Sequence, residues 1–130
     1  MRLVTAAIIF KDGHVLITRR KPDEKLPGYW EFPGGKIEKD ETPQQCIERE
    51  LFEELGIKSK AGKIIAESEY HYEHGSFKLL AILTTVVENN FSLKVHDKVE
   101  WVPLFSLLTY NLAPADIPVA EAIVEKNGEF

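Results

Sequence analysis

Runs of apolar residues divide the start of the chain into two predicted strands. Residues 3–10 are mostly apolar and rich in β-branched side chains, and residues 14–18 have the same character. The turn-forming Lys11, Asp12 and Gly13 lie between them. An Asp-Gly pair between two such runs is typical of a β-hairpin. The sequence therefore predicts that a sheet begins at the start of the chain.

The next stretch, residues 19–40, is predicted to be mostly loop. It holds three prolines and a Gly-Gly pair, with only a short apolar island at residues 29–32. Proline and glycine at this density interrupt regular structure. Long loops inside compact domains are usually functional, so this stretch is a candidate for part of a binding site.

A helix is predicted over residues 43–55. Thr42 is a preferred N-cap residue, Pro43 suits the first helical position, and Gln45 completes a capping-box pattern with Thr42. Gly56 supplies the expected stop.

Three more strands and a closing helix are predicted in the second half of the chain. The strands span residues 62–70, 76–88 and 99–103, and the helix spans residues 117–126. Strands before and after a central helix, with another helix at the end, indicate an α/β fold. We expect a mixed sheet between helices, that is, an α/β/α sandwich.

Composition and charge limit the classes of function. The chain has 130 residues, 44% of them hydrophobic, which is enough for one domain, residues 1–130, with a real core. A net charge of -5 without any run of three basic residues argues against binding of a nucleic acid polymer. The apolar run 3–10 is too short to span a membrane. The lone Cys46 excludes an internal disulfide, and we expect a cytoplasmic protein.

The predicted helix carries a concentration of like charge. Glu50, Glu53 and Glu54 fall together on one flank, at spacings where like charges destabilise a helix. Arg49 is the only basic residue between Glu41 and residue 57, and it could orient the cluster by a bidentate contact. Carboxylates that converge from one side suit a hard divalent cation, whereas the alternative is an ordinary solvated face.

The residues around this cluster resemble the Nudix box, G-x5-E-x7-R-E-U-x-E-E-x-G-U, in which U is a bulky aliphatic residue. Every fixed position is matched, by Gly35, Glu41, Arg49, Glu50, Leu51, Glu53, Glu54, Gly56 and Ile57. The match lies in the expected loop–helix context, which makes it specific. The resemblance implies the Nudix fold and a Nudix hydrolase, a family that splits nucleoside diphosphates linked to another moiety. It also implies Mg²⁺ or Mn²⁺ as the cofactor.

The resemblance implies roles for the matched positions. The metal ligands would be the Gly34 carbonyl, Glu50, Glu53 and Glu54. Three residues would support the loop and helix, namely Gly35, Glu41 and Arg49. The catalytic base varies across the family, so Glu50 and Glu53 are both candidates. A further acidic ligand is usual, for which we prefer Asp97 to Glu100.

Three other segments resemble the MutT-type branch of the family, which hydrolyses nucleoside triphosphates to the monophosphate and pyrophosphate. They are ITRR, WEFPGGKIE and LAPADIPVAEA, and the last is similar to bacterial CTP pyrophosphohydrolases. The resemblance implies that Arg20 or Arg19 contacts the phosphates, for which a fork of donors is suited. Trp30 and Phe32 would stack on the base or line its pocket, although core packing explains Phe32 equally well.

Asp116 bears on the choice of base. The members that remove 8-oxo-guanine nucleotides have Asn at this position, which can donate and accept. An ionised carboxylate can only accept, so Asp116 favours the amino group of cytosine over the O6 of 8-oxo-guanine unless it is protonated. Adenine also has an amino group and stays open. The alternative role is that of N-cap for the last helix.

We therefore expect a pyrophosphohydrolase that prefers CTP, dCTP or modified cytidine nucleotides. Its rivals are 8-oxo-dGTP clearance, hydrolysis of ADP-ribose or another diphosphate ester, and a nucleotide-binding sensor without turnover. The expected partner is a small nucleotide rather than a nucleic acid polymer or a membrane, and the sequence leaves monomer and homodimer open.

Overall fold

The computed structural model describes residues 1–21, 27–88 and 96–130, without the side chains of residues 88, 96 and 97. The strands in these ranges are β1 (Arg2–Ile8), β2 (Phe10–Lys11), β3 (His14–Arg20), β4 (Trp30–Glu31), β5 (Lys58–Tyr72), β6 (Gly75–Glu88) and β7 (His96–Pro103). The helices are α1 (Pro43–Leu55) and α2 (Ile117–Glu125), and two 3-10 segments lie at Leu104–Thr109 and Pro114–Asp116.

The strands form two sheets. In the first, β6 is central, pairing in parallel with β1 and antiparallel with β5. In the second, β3 is central, and it pairs antiparallel with β2, β4 and β7. The predicted α/β class with mixed pairing is confirmed, although the strands divide into two sheets.

Successive residues of β1 face opposite helices. Ala6 and Ile8 lie in a buried cluster with Val119 and Ile123 of α2. Ala7 lies in a second cluster, which includes the α1 residues Ile47, Leu51 and Leu55. Successive side chains of a strand point to opposite faces, so apolar contacts at consecutive residues mean that β1 is buried on both faces. The sheets are therefore covered by α1 on one side and α2 on the other.

The first predicted strand was wrong in one respect. Residues 2–8 belong to the sheet of β6, and only Phe10 and Lys11 form the expected hairpin with Val15 and His14. Asp12 and Gly13 make the turn, with φ angles of 50° and 76°. A continuous apolar run cannot show where the chain passes from one sheet to the other, because both parts of it are buried.

Helix α1 has the predicted bounds. The Thr42 hydroxyl accepts a hydrogen bond from the Gln45 N–H at 3.0 Å, and the Gln45 side chain accepts one from the Thr42 N–H at 2.9 Å. Gly56 ends the helix in the left-handed region, with φ 68°. The capping box and the glycine stop are both confirmed.

The remaining predicted elements are present with shifted ends. Strand β5 is longer than predicted at both ends, β6 begins one residue early, and β7 begins at His96 rather than 99. Helix α2 ends at Glu125, one residue before the predicted end. The 3-10 segments were not predicted, because short turns of this kind have no apolar periodicity.

Candidate active site

The loop before α1 lies against β1 through backbone hydrogen bonds. The Ala7 N–H donates to the Pro33 carbonyl and the Thr5 N–H donates to the Gly35 carbonyl, both at 2.7 Å. In extended pairing, the carbonyl between these two acceptors points away from β1, which leaves that of Gly34 for another partner. A Cβ at Gly34 would overlap the Thr5 carbonyl group, so the close approach of the two backbones requires glycine.

Two small buried side chains fasten the same loop to α1. The Thr5 hydroxyl donates to the Gly35 carbonyl at 3.0 Å and lies 3.2 Å from the Cys46 sulfur. The Cys46 thiol in turn donates to the Lys36 carbonyl at 3.3 Å. Burial raises the pKa of this thiol to about 11, so it stays protonated and inert. Cys46 is therefore a core residue that also anchors the loop.

Arg49 joins the loop to the acidic flank of α1. Its guanidinium holds Glu41 with two bonds, Nε to Oε2 at 2.7 Å and Nη2 to Oε1 at 2.9 Å. Its Nη1 donates to Glu50 at 2.8 Å and to Glu53 at 3.2 Å. The bidentate contact is therefore made with Glu41, not with the cluster. Arg49, with help from the Glu38 N–H, lowers the pKa of Glu41 to about 2.

Three carboxylates crowd together beside this network. Glu54 is half-buried, and burial raises its pKa to about 9, with further contributions from a hydrogen bond to Glu50 and from the charges of Glu50 and Glu31. Arg20 pairs with Glu31, Nε to Oε2 at 3.1 Å. Glu53 is more open to solvent, with 58% of its side chain exposed. The region carries more negative charge than its arginines balance.

The predicted ligands Glu50, Glu53 and Glu54 lie near one another, but they are not arranged as a formed metal site. Over the parts of the chain that the structure describes, no three Asp, Glu, His or Cys side chains are arranged to hold a metal ion. The side chain of Asp97 lies outside the described residues, and the alternative, Glu100, accepts a hydrogen bond from the Tyr110 hydroxyl at 2.9 Å. The ligand assignments therefore stay predictions.

A cleft of about 500 Å³ opens beside the carboxylates. Its polar lining includes Arg20, Glu31, Gly34 and Lys36, and its apolar lining includes Phe32, Tyr70, Phe77 and Leu79. Asp116 also lines it. The cleft thus combines charged groups next to the box with a wall of aromatic side chains, which is the composition expected of a site for a charged molecule with a flat ring.

Asp116 faces this cleft and does not cap α2. Asp116 occupies the N-cap position of α2, but its side chain makes no capping hydrogen bond. Instead, the Phe32 N–H donates to its Oδ1 at 3.4 Å. Burial, assisted by the charge of Glu31, raises the pKa of Asp116 well above its usual range. The capping role is therefore wrong, and the neutral acid, which can donate as well as accept, is favoured.

The structure separates the four other predicted substrate residues into two pairs. Arg20 and Phe32 line the cleft. Arg19 and Trp30 are not among its lining residues, because they pack on each other with the guanidinium carbon 5.6 Å from the ring centroid. Trp30 also makes an edge contact with Tyr110 at 5.4 Å. The register of β3 with β7 shifts between Arg19 and Arg20, and the two side chains take different partners, Trp30 for Arg19 and Glu31 for Arg20.

Several residues at the cleft were not predicted from the sequence. Glu31 is the one charged residue of the apolar island 29–32, where β4 forms. A charge inside an apolar run was the signal that could have identified it. Lys36 sits inside the box, next to Gly35, at a position that the motif leaves free. Tyr70 and Phe77 face each other across the β5–β6 hairpin, and their place at the cleft depends on where the fold positions that hairpin.

A second groove, of about 370 Å³, lies away from the box. Its lining includes Ile9, Phe10, Thr84 and Trp101, and Lys11 is the one charged residue among the described residues that line it. No described residue of the groove supplies a carboxylate, so the cleft is the better candidate for metal-dependent chemistry. None of the described helices is long and apolar enough to cross a membrane.

Comparison with protein families and with known proteins gives consistent matches. Residues 1–123 match the family model described as the NUDIX domain. The chain is 37% identical over 121 residues to the CTP pyrophosphohydrolase of Escherichia coli K12, covering 93% of this chain and 90% of that protein. It is 33% identical over 119 residues to the 8-oxo-dGTP diphosphatase of the same organism, covering 92% of each.

Solved structures share the fold. The solution structure of the Escherichia coli ORF135 protein superposes with a TM-score of 0.84 and 37% identity, covering 96% of this chain and 89% of that one. The crystal structure of the MutT protein from Methanosarcina mazei Go1 gives a TM-score of 0.81 and 26% identity, covering 98% and 96%. Both similarities cover nearly the whole chain.

Proposed function

This chain belongs to the Nudix family and is a pyrophosphohydrolase of the MutT type, and from that premise we propose that it hydrolyses cytidine triphosphates in the cytoplasm. The products are the nucleoside monophosphate and pyrophosphate. The observation that carries the proposal is the position of Asp116, buried in the cleft with its carboxyl group turned away from the cap of α2. The 37% identity to a CTP pyrophosphohydrolase supports the choice of base.

The residues beside the cleft fit a divalent cation, Mg²⁺ or Mn²⁺. Glu50 and Glu54 are close enough to share a hydrogen bond, and Glu31 adds a further charge. Such crowding is unfavourable without a cation between the carboxylates. We propose Glu50, Glu53, Glu54 and the Gly34 carbonyl as ligands, with Asp97 as a further one. A bound cation supplies screening of the phosphate charge and Lewis-acid polarisation of the phosphorus under attack.

The chain's own side chains bind and orient the triphosphate. Arg20 and the exposed Lys36 line the cleft near Gly34 and provide cationic donors for phosphate oxygens. Arg20 is held by Glu31 in the free protein, so it changes partner when the substrate binds. We propose that Arg20 contacts the phosphates of the substrate and that Arg19, which stacks on Trp30, does not.

The reaction requires a base for the attacking water. Glu50 and Glu53 each accept a hydrogen bond from Arg49 and are our two candidates. The water oxygen bonds to the β-phosphorus while the bond from that phosphorus to the bridging oxygen of the α-phosphate breaks. The proton of the water passes to the carboxylate, and the nucleoside monophosphate leaves with the bridging oxygen.

The apolar part of the cleft is our proposed base site. Phe32, Tyr70 and Phe77 supply the ring faces, and Asp116 supplies the hydrogen-bonding edge. A neutral carboxyl group can accept from the amino group of cytosine and donate to its ring nitrogen. The neutral acid can also pair with O6 and N1–H of 8-oxo-guanine, so 8-oxo-dGTP is the second candidate, supported by the 33% identity to a diphosphatase for that nucleotide.

The test is pyrophosphate release with Mg²⁺ over a panel of CTP, dCTP, 5-methyl-dCTP, dATP, 2-hydroxy-dATP, dGTP, 8-oxo-dGTP and ADP-ribose. Wild type and Asp116→Asn are measured side by side. We expect cytidine nucleotides to lead for the wild type and the substitution to reduce that lead. A lead by 8-oxo-dGTP would select the second candidate, and an unchanged preference in the variant would remove Asp116 from base recognition.

A further inference from the structure

A buried hydrogen bond connects β5 to the turn that carries Asp116. The Ser68 hydroxyl donates to the Ala115 carbonyl at 2.8 Å, between positions 47 residues apart. Ser68 is 9% exposed and Ala115 is 8% exposed. Without the Ser68 donor, the buried Ala115 carbonyl would be desolvated and have no compensating hydrogen bond, which is unfavourable. This contact therefore fixes the turn against the sheet.

Ser68 belongs to the strand face that forms the wall of the cleft. Ser68 pairs with Leu79, and Tyr70 pairs with Phe77, in an unbroken register. Side chains two residues apart in a strand share a face, and three of these four side chains line the cleft. The fourth, Ser68, bonds to the Ala115 carbonyl, and both Ala115 and the next residue, Asp116, line the cleft.

The other contact that locates the Asp116 carboxyl group is a long one. The Phe32 N–H reaches Oδ1 at 3.4 Å, and no capping bond fixes the side chain to α2. The shorter Ser68 bond acts on the backbone immediately before Asp116. Displacement of this backbone would move the carboxyl group relative to the aromatic wall.

We infer that Ser68 is a positioning residue for base selection, because it sets the distance between Asp116 and the ring faces of Tyr70 and Phe77. This inference rests on the proposed function of the cleft. Ser68 touches the turn and not the substrate. Its removal should therefore change which base is preferred and leave metal binding intact, since its contact is with Ala115 rather than with the box.

The experiment compares Ser68→Ala with Ser68→Thr, which keeps the hydroxyl, and with the matched control Thr84→Val. Thr84 is also buried and donates its hydroxyl to a backbone carbonyl, that of Ile82, at 2.9 Å, but it lines the second groove. Each variant is assayed for kcat and KM with dCTP and with 8-oxo-dGTP, for Mn²⁺ affinity, and for Tm.

For Ser68→Ala we expect the ratio of kcat/KM between the two nucleotides to fall about tenfold, mainly through KM for dCTP, with unchanged Mn²⁺ affinity. Ser68→Thr should restore the ratio. Thr84→Val should lower Tm without moving the ratio. If Ser68→Ala keeps the wild-type ratio, or if Thr84→Val lowers the ratio as much as Ser68→Ala for the same fall in Tm, the inference is wrong.

A double-mutant cycle separates this inference from the proposed function. In the Asp116→Asn background, Ser68→Ala should have no further effect on the ratio, because its action passes through Asp116. Additive effects would show that Ser68 acts elsewhere. If Ser68→Ala does not fold, the same ratio is measured for Ser68→Cys, whose weaker donor should give an intermediate value. Wild-type protein that releases no pyrophosphate from any triphosphate would overturn the proposed function itself.

Discussion

Arg49 and Glu41 form a two-bonded ion pair between α1 and the loop that precedes it, with donor–acceptor distances of 2.7 and 2.9 Å. The planar guanidinium fits the carboxylate in a geometry that lysine cannot reproduce. Because the same guanidinium also binds Glu50 and Glu53, the loop and the proposed catalytic carboxylates are held by one side chain.

The ion pair should be visible in the acid stability of the protein. The pKa of Glu41 is about 2 in the fold against an ordinary value of 4.5. A carboxyl group whose pKa is lowered in the fold stabilises the protein at pH values above the pKa of the unfolded state. This contribution disappears as the pH falls from about 4.5 towards 2. Glu41→Gln should remove this part of the pH dependence. Urea midpoints measured across that range would show it, with the exposed Glu73→Gln as control.

Gly35 should be intolerant of even one extra methyl group. A Cβ at this position would lie 2.6 Å from Glu50 Oε1 and 2.8 Å from Oε2, so Gly35→Ala must displace that carboxylate. We expect kcat to fall by about 10² or more, since small misplacements of catalytic groups are costly, while the circular dichroism spectrum is preserved. The control is Gly62→Ala, whose Cβ would meet the Leu83 carbonyl oxygen at 3.1 Å, away from the box. Equal losses in both variants would contradict this role.

Removal of one box carboxylate should separate stability from metal binding. Glu54→Gln replaces a half-buried carboxyl group whose pKa is raised to about 9 by burial and by Glu50 and Glu31. The amide needs no proton uptake on folding, so the variant should be at least as stable as the wild type at neutral pH in the absence of metal. Its Mn²⁺ affinity and kcat should both fall strongly. Glu48→Gln is the matched control, because Glu48 is on the same helix and accepts a bond from the Ala61 N–H at 2.9 Å. Wild-type Mn²⁺ affinity in Glu54→Gln would rule out the ligand assignment.

Asp116 should make the protein less stable as the pH rises. Its pKa is raised in the fold, so the stability associated with the neutral acid is fully present below the unfolded pKa and is lost as the pH approaches the folded pKa. The side chain of Asp116→Asn cannot ionise, so this variant does not lose stability in this way as the pH rises. The difference in Tm between variant and wild type should therefore shift in favour of the variant from pH 4 to pH 8. A constant difference would mean that Asp116 is ionised in the fold.

Local signals predicted α1 and the loop before it well. The capping box, Pro43 and Gly56 act within a few residues of each other, so their effect can be read from the sequence. The box resemblance likewise placed Glu41 and Arg49 in supporting positions, and they bind each other. What it did not reveal was that the bidentate contact of Arg49 goes to Glu41 rather than to the cluster.

The parts that the sequence could not predict depend on distant pairing. The choice between Arg19 and Arg20 depends on their contacts with β4, where Arg19 packs on Trp30 and Arg20 pairs with Glu31. The Ser68 bond requires β5 to lie beside the turn before α2. The raised pKa of Asp116 depends on how completely the fold buries it, which no residue type encodes. Each of these features has a partner more than ten residues away.

The parallel pairing of β1 with β6 also has a consequence for how the protein folds. Arg2 pairs with Phe77, so this ladder closes a chain segment of about 75 residues, whereas the β5–β6 hairpin closes at the turn before Gly75. The box loop docks on β1 and has no completed support until the long ladder forms. We therefore expect the active site to be among the last parts to gain protection in pulse-labelling hydrogen exchange. A nascent chain that is still short of Phe77 would carry the whole box and yet be unable to assemble it.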